Sequence, residues 1–206
     1  VISSKRRSVG GNSGTQSGSS ESCDGKAKPT FRGFETKAIH AGSYPEPVTG
    51  ARATPIFQNT SYVFNDVEHA ASLFNLSNFG NIYSRLSNPT TAVLEERLAS
   101  LEGGRGTTCT ASGHSAQMLA LFTLMSPGDT LVASNRLYGG SITQFGRTIK
   151  KFGWNCEFVD VDDPDRVREV LERNGATVKA PWVESLANPG GVVSDLRPLA
   201  DAAHAS

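Results

Sequence analysis

Cysteine is scarce in this chain and carries no pattern. Cys23, Cys109 and Cys156 stand alone, with neither a Cys-x-x-Cys pair nor Cys/His spacing beside them. That disfavours a zinc site and a disulfide framework and fits a reducing compartment, so a cytoplasmic protein is expected. Excess charge of either sign is also missing. Twenty basic side chains balance 20 acidic ones, which gives no electrostatic case for nucleic acid or an acidic membrane as partner. No apolar run approaches the roughly 20 residues of a membrane span. An initiating methionine is absent too: the chain starts at Val1 and stops at Ser206, inside an expected helix over residues 196–205. A piece of a longer protein is therefore expected.

What is present is enough for one core, or a core plus a tail: 206 residues with 37% hydrophobic content. Residues 1–30 hold Ser, Gly and Lys/Arg with almost nothing apolar after Ile2, a composition that cannot offset the entropy of ordering. A disordered tail is expected there, with Lys5-Arg6-Arg7 as a weak targeting signal at most. Residues 31–75 are expected to form an arm and helical segment contacting a neighbouring subunit. A short helix over 35–42 ends at Gly42. Residues 54–64 are β-leaning without regular alternation, so they read as an arm on another surface. Asn65-Asp66 caps a helix over 67–76.

Residues 76–206 turn to an α/β pattern. Helices are expected over 91–102, 115–125, 138–152 and 164–174, and strands over 106–111, 130–134, 156–161 and 178–184. Val93, Leu94, Leu98 and Leu101 form one apolar stripe on the first of these helices. Alternation at these lengths predicts a mostly parallel sheet with helices on both faces, and ligands outside the carboxyl ends of its strands. Three polar stretches fall at those ends: Ser112-Gly113, residues 135–140, and residues 184–188.

Each stretch has two readings. Thr110-Ala111-Ser112-Gly113-His114 joins a strand to a helix and offers backbone N–H groups with a glycine permitting close approach, either a phosphate cradle or a plain turn. Gly113-His114-Ser115-Ala116-Gln117 half-matches the G-x-S-x-G elbow of hydrolases, but Gln117 stands where the last glycine belongs. The Gly-Lys-Ser/Thr ending of a P-loop is absent. Tyr138, before Gly139-Gly140, can stack on a flat ring or pack on the sheet edge. Asn188 can hold a phenolate oxygen or make an Asx-turn before Pro189. Upstream, Tyr83-Ser84-Arg85 sets a phenol and a guanidinium two residues apart. If extended, the segment projects both from one face, where they can bind a phosphate or carboxylate. Asn88-Pro89 then reads as a turn into the next helix.

Seven motifs in order carry a resemblance: Ile39-His40-Ala41-Gly42, Pro55-Ile56-Phe57, Tyr83-Ser84-Arg85, Asn88-Pro89-Thr90, Ala111-Ser112-Gly113, Tyr138-Gly139-Gly140 and residues 184–189. From about Phe34 onward the chain resembles the N-terminal part of the Cys/Met-metabolism family of pyridoxal-phosphate enzymes. Ser112 to Gln117 and the Glu184-Ser185-Leu186-Ala187-Asn188-Pro189 run are most similar to its O-acetylhomoserine sulfhydrylase branch. The resemblance implies an incomplete, aminotransferase-like (fold type I) large domain and pyridoxal 5'-phosphate as cofactor. It implies γ-replacement of acetate on O-acetylhomoserine by sulfide or a thiol, with cystathionine γ-synthase or γ-lyase activity as the alternative, and then a non-catalytic remnant. Ser112, Gly113 and His114 would cradle the phosphate, the last two through backbone N–H groups. Tyr138 would stack on the pyridine ring and assist proton transfer, and Asn188 would bond the ring oxygen. Tyr83 and Arg85 would reach the phosphate in the neighbouring subunit, making a homo-oligomer with shared sites, a dimer or tetramer. The family's Schiff-base lysine and the aspartate paired with the pyridine nitrogen have no match here; Lys150, Lys151 and Lys179 lack the context. The chain alone is expected to be inactive.

Overall fold

The computed structural model describes residues 30–205, so the tail expected over residues 1–30 lies almost wholly outside the described residues. The chain divides into two compact units, with the boundary between Thr110 and Ala111. Among the described residues no helix is long and apolar enough to cross a membrane.

The first unit holds α1 (Phe34–His40), α2 (Val67–Phe74) and α3 (Pro89–Glu102). Local chemistry sets the helix ends. Asp66 caps α2 by accepting from the His69 N–H at 2.6 Å. Asn88 caps α3 by accepting from the Thr90 N–H at 2.9 Å, with Pro89 at the first helical position, where its missing N–H costs nothing. Gly42 follows α1 at φ +76°, and a Cβ there would sit 2.5 Å from the Val93 carbonyl oxygen, so the loop can lie against α3 only with glycine. The apolar stripe of α3 is not covered: Leu94 and Leu98 stay 50% and 37% exposed.

Residues 55–62 form no regular strand, but they are stitched to residues 82–90. Ser61 bridges Tyr83 antiparallel, and the Ser84 N–H donates to the Thr60 carbonyl at 2.9 Å. Thr90 Oγ1 donates to the Pro55 carbonyl and accepts from the Phe57 N–H, both at 2.9 Å. The Asn88 carboxamide donates to the Phe57 carbonyl at 2.9 Å and to Ser84 Oγ at 3.0 Å while capping α3. Asn88→Ala should therefore release the arm as well as the cap, at a cost of about 1–2 kcal/mol. Amide hydrogen exchange should report it as faster exchange confined to residues 55–62 and the first turn of α3; unchanged exchange there would contradict this role.

The second unit is the α/β layer. Strands β1 (Thr130–Ser134), β2 (Asn155–Val159) and β3 (Val178–Trp182) form a parallel sheet in the order β2-β1-β3. The central strand β1 is buried along its whole length and feeds both faces. Leu131 and Ala133 enter one core with Leu121 from α4 (Gly113–Leu124), Met125 just after it, and Phe145 and Ile149. Val132 enters the opposite core with Val167, Val170 and Leu171 from α6 (Pro164–Asn174) and Leu199 from α7 (Leu196–Ala205). Each of the larger side chains among these gives roughly 1.5–3 kcal/mol on burial. Among the described residues β3 is an edge strand, where Pro181 is tolerated. A register shift at Thr130/Leu131 turns the face of β3, so Val178 joins the second core while Ala180 and Trp182 join the first. Burial pushes the Cys156 thiol up to about 12, so at neutral pH it is a packing group rather than a thiolate.

Two expected elements differ. Residues 106–111 form no strand, and the Cys109 N–H donates instead to the Glu95 carboxylate at 2.9 Å. The expected helix over 138–152 is broken into α5 (Gly139–Thr143), a π turn over Gln144–Thr148 and a 3₁₀ turn over Ile149–Phe152. Gly139, Gly140, Gly146 and four β-branched residues give this stretch low helix propensity, so packing of the fully buried Phe145 and Ile149 decides its path.

Candidate functional site

The strand order explains why the loops after β1 and β3 meet. These strands are hydrogen-bonded neighbours with Ala133 opposite Trp182, so residues 135–138 and 183–188 leave the sheet side by side. Glu184 joins them. Its carboxylate accepts from the Tyr138 N–H at 3.0 Å and, at a longer 3.4 Å, from the Asn188 N–H. On the other side, Arg136 pairs with Asp160 at 3.1 Å and also with Asp162, tying the same loop to the one after β2. These ion pairs are more than a third exposed and contribute under about 1 kcal/mol each; their use is in aiming the loop.

Asn188 sits in a hairpin closed by bonds from the Ala187 N–H to the Val192 carbonyl at 2.8 Å and from the Ser194 N–H to the Ser185 carbonyl at 3.2 Å. Its carboxamide is solvent-exposed. At the start of α4, Ser112 caps the helix through its hydroxyl, which accepts from the Ser115 N–H at 3.2 Å. The N–H groups of Gly113 and His114 have no intrahelical carbonyl to bond, and nothing lies within 4 Å of the position a Gly113 Cβ would occupy. Ser115, the serine of the half-matched elbow, faces the Ser112 hydroxyl at 2.9 Å, not the base that a nucleophilic serine requires.

The helix start and the Tyr138 loop are close. The His114 and Tyr138 rings lie 5.8 Å apart at 34°. Between them passes Gly140, where a Cβ would lie 2.5 Å from both His114 Cε1 and Tyr138 Cε1. Two carboxamides hold α4 against the following segment: Gln117 Nε2 donates to Ser141 Oγ at 2.9 Å and Gln144 Nε2 to the His114 carbonyl at 3.2 Å. The sequence singled out Ser112, Gly113, His114, Tyr138 and Asn188, and all five fall on this one unit: Tyr138 and Asn188 in the loops after β1 and β3, Ser112 to His114 at the start of α4. The roles of Gln117 and Gln144 went unnoticed, because a glutamine on an α/β helix carries no signal apart from the neighbour it reaches.

Tyr83 and Arg85 belong to the other unit. The segment does not stay extended through them. The Leu86 and Ser87 N–H groups both donate to the Tyr83 carbonyl, at 2.8 and 3.1 Å, so the chain turns at Ser84. The two side chains still meet: the Arg85 guanidinium carbon sits 4.9 Å from the centre of the Tyr83 ring. A cation over the ring face pre-forms a guanidinium and phenol pair on one surface.

The α/β unit with polar groups at its strand ends belongs to a class that can hold a flat, phosphorylated ring. The Cys/Met metabolism PLP-dependent enzyme family matches residues 35–206, and the chain belongs to that family. It is 51% identical over 170 residues to O-acetyl-L-homoserine sulfhydrylase 1 of Thermus thermophilus, covering 82% of this chain and 40% of that protein. With the O-acetyl-L-homoserine sulfhydrylase of Leptospira meyeri the identity is 47% over 165 residues, covering 80% and 37%. Among solved structures, a Campylobacter jejuni protein assigned as an O-acetylhomoserine (thiol)-lyase, which carries N'-pyridoxyl-lysine-5'-monophosphate, superposes with TM-score 0.78 at 41% identity, covering 84% of this chain and 42% of that one. The fold is thus that of the pyridoxal-phosphate fold type I enzymes, in part: the chain spans about two fifths of the length of these relatives.

The residues present fit pyridoxal phosphate. Unbonded N–H groups at a helix start suit a phosphate, an exposed aromatic ring suits a pyridine face, and a carboxamide suits a phenolate oxygen. Gly140 is the sharpest sign, since any side chain there would collide with the Tyr138 and His114 rings and displace them.

Proposed function

We propose that the whole protein catalyses γ-replacement on O-acetyl-L-homoserine. The C–O bond to acetate breaks, a C–S bond to sulfide or a thiol forms, and homocysteine or its S-substituted product leaves with acetate. The observation that carries this reading is the 51% and 47% identity to two sulfhydrylases of that substrate. When bound, pyridoxal phosphate supplies the electron sink for proton removal from the amino-acid carbons.

The chain's own residues take the roles of binding and orientation. The Gly113 and His114 N–H groups, with the Ser112 hydroxyl, bind the phosphate at the positive end of α4. The Tyr138 ring packs against the pyridine face, and its hydroxyl holds or moves a proton during acetate departure. The Asn188 carboxamide donates to the ring oxygen and fixes the ring's rotation. Tyr83 and Arg85 serve the phosphate in a neighbouring subunit, so a homo-oligomer with shared sites is part of the proposal, as is a cytoplasmic location. The stitching of residues 55–62 to residues 82–90 supports an arm that presents this pair as one piece.

The test is an assay of the whole protein with O-acetyl-L-homoserine, with and without sulfide. Homocysteine and acetate in equal amounts, formed only when sulfide is present, are expected. Ammonia and a 2-oxo acid formed without any thiol would make it a lyase instead. Cystathionine formed from cysteine in preference to sulfide would make it a synthase of the other branch.

A further inference from the structure

Among the described residues Glu184 is the one side chain that bonds to both loops flanking the candidate ring site, and it pairs with no described cation. One carboxylate oxygen accepts from the Tyr138 N–H at 3.0 Å and the other from the Asn188 N–H at 3.4 Å. Tyr138 is the residue before α5 and Asn188 lies in the hairpin after β3, so no local hydrogen-bond pattern sets the distance between them. A carboxylate is suited to the task because both oxygens accept and neither donates, and bonds to an ionised acceptor are stronger than neutral ones.

We infer that Glu184 is a positioning residue that spaces the Tyr138 ring from the Asn188 carboxamide and thereby sets how tightly and in what orientation the cofactor ring is held. The inference rests on the pyridoxal-phosphate reading of this unit. It assigns Glu184 no contact with cofactor or substrate. The bridge runs through backbone atoms, so the partner side chains remain available for the ring.

Two substitutions separate bridging from charge. Glu184→Gln keeps the reach but turns one acceptor into an NH₂ donor, so one of the two N–H groups loses its partner. Glu184→Asp keeps the charge but is one methylene shorter, so it cannot span both N–H groups. The whole protein and both variants are stripped of cofactor and titrated with pyridoxal phosphate. Visible circular dichroism of the bound ring and the urea midpoint are recorded alongside.

Both variants are expected to bind at least about tenfold more weakly than the parent and to show an altered dichroic band, with the urea midpoint nearly unchanged. Equal affinity and an unchanged band in both variants would overturn the inference. Normal binding by Glu184→Asp with weak binding by Glu184→Gln would overturn bridging and assign the effect to charge. A lowered urea midpoint with unaltered affinity and band in the folded molecules would reduce Glu184 to a structural role and also overturn it. Failure of the parent itself to bind pyridoxal phosphate would remove the underlying reading, and that outcome shows before any variant is compared.

Discussion

Gly140→Ala is expected to leave the protein folded and to weaken pyridoxal-phosphate binding by at least about tenfold, or 1.4 kcal/mol. The added methyl group would lie 2.5 Å from His114 Cε1, 2.5 Å from Tyr138 Cε1 and 2.8 Å from His114 Nε2. Such approaches cannot persist, so atoms must move. What meets the methyl group is ring edges, not backbone, and Tyr138 is 51% exposed. The rings can therefore swing outward, and the cost to the fold stays below the 1–3 kcal/mol typical of overpacking in a closed core. The cost to the site is larger, because the swinging ring is the one proposed to stack on the cofactor. Titration of cofactor-free protein, read beside its urea midpoint, checks both halves. Adding His114→Ala to Gly140→Ala should restore part of the affinity, since the methyl group then has room on one side and the Tyr138 ring can return. Loss of folding in the single variant, or full cofactor affinity, would contradict this account of Gly140.

The parts of this architecture that could be read from sequence are those where one residue type has a local job. Asp66 caps the helix that follows, Asn88-Pro89 turns into the next one, and Pro164 starts α6 at the expected position; that Asn88 and Ser112 also cap their helices shows only in the structure. The strand β1 was legible because a central parallel strand is apolar on both faces, as Thr130-Leu131-Val132-Ala133-Ser134 is. Residues 106–111 have comparable β-leaning chemistry, yet a strand also needs a partner, and partners are not written in the segment itself. The broken helix after Tyr138 was missed for a related reason. Its glycines and β-branched residues permit several helical windings, and the choice falls to Phe145 and Ile149 packing beneath the sheet.

The candidate site divides along the same line. Tyr138 and Asn188 are legible as residues beside Gly or Pro after a strand, a pattern visible in one dimension, whereas Ser112 and Gly113 stand at the start of α4 without the strand expected before them. An extended segment would align Tyr83 and Arg85 on one face; in the structure a turn brings the guanidinium over the ring instead. Glu184 lay inside a motif that had been noticed, but its purpose depends on Tyr138, which is distant in sequence and becomes a neighbour only because β3 pairs with β1. Residues that touch a ligand tend to carry sequence signals. Those that hold the touching residues in place are found by seeing what their oxygens accept.

The 206-residue chain, mixed with one equivalent of pyridoxal phosphate and then reduced with borohydride, is expected to yield no pyridoxylated peptide containing Lys150, Lys151 or Lys179, and the chain is expected to show no sulfhydrylase turnover. Position within the unit is the reason. Lys179 is the second residue of β3, and its Nζ is bound at 3.0 Å to the Ala176 carbonyl and at 3.5 Å to Asp129, which precedes β1. It is thus anchored where the strands begin, whereas the candidate site lies where they end. The length of β3, at about 3.3 Å per residue, places roughly 13 Å between the two ends. Lys150 and Lys151 lie on the 3₁₀ turn that leads through Gly153 into the start of β2, the same far end of the sheet. A lysine joined to pyridoxal phosphate, as in the Campylobacter jejuni structure, would have to come from outside this set. Peptide mapping by mass spectrometry reads the result directly. The whole protein treated the same way should give one modified lysine in a peptide absent from the shorter chain. A stoichiometric adduct on Lys150, Lys151 or Lys179, together with turnover, would show that these residues complete a site by themselves, and the assignment of the carboxyl strand ends as the place of chemistry would fall.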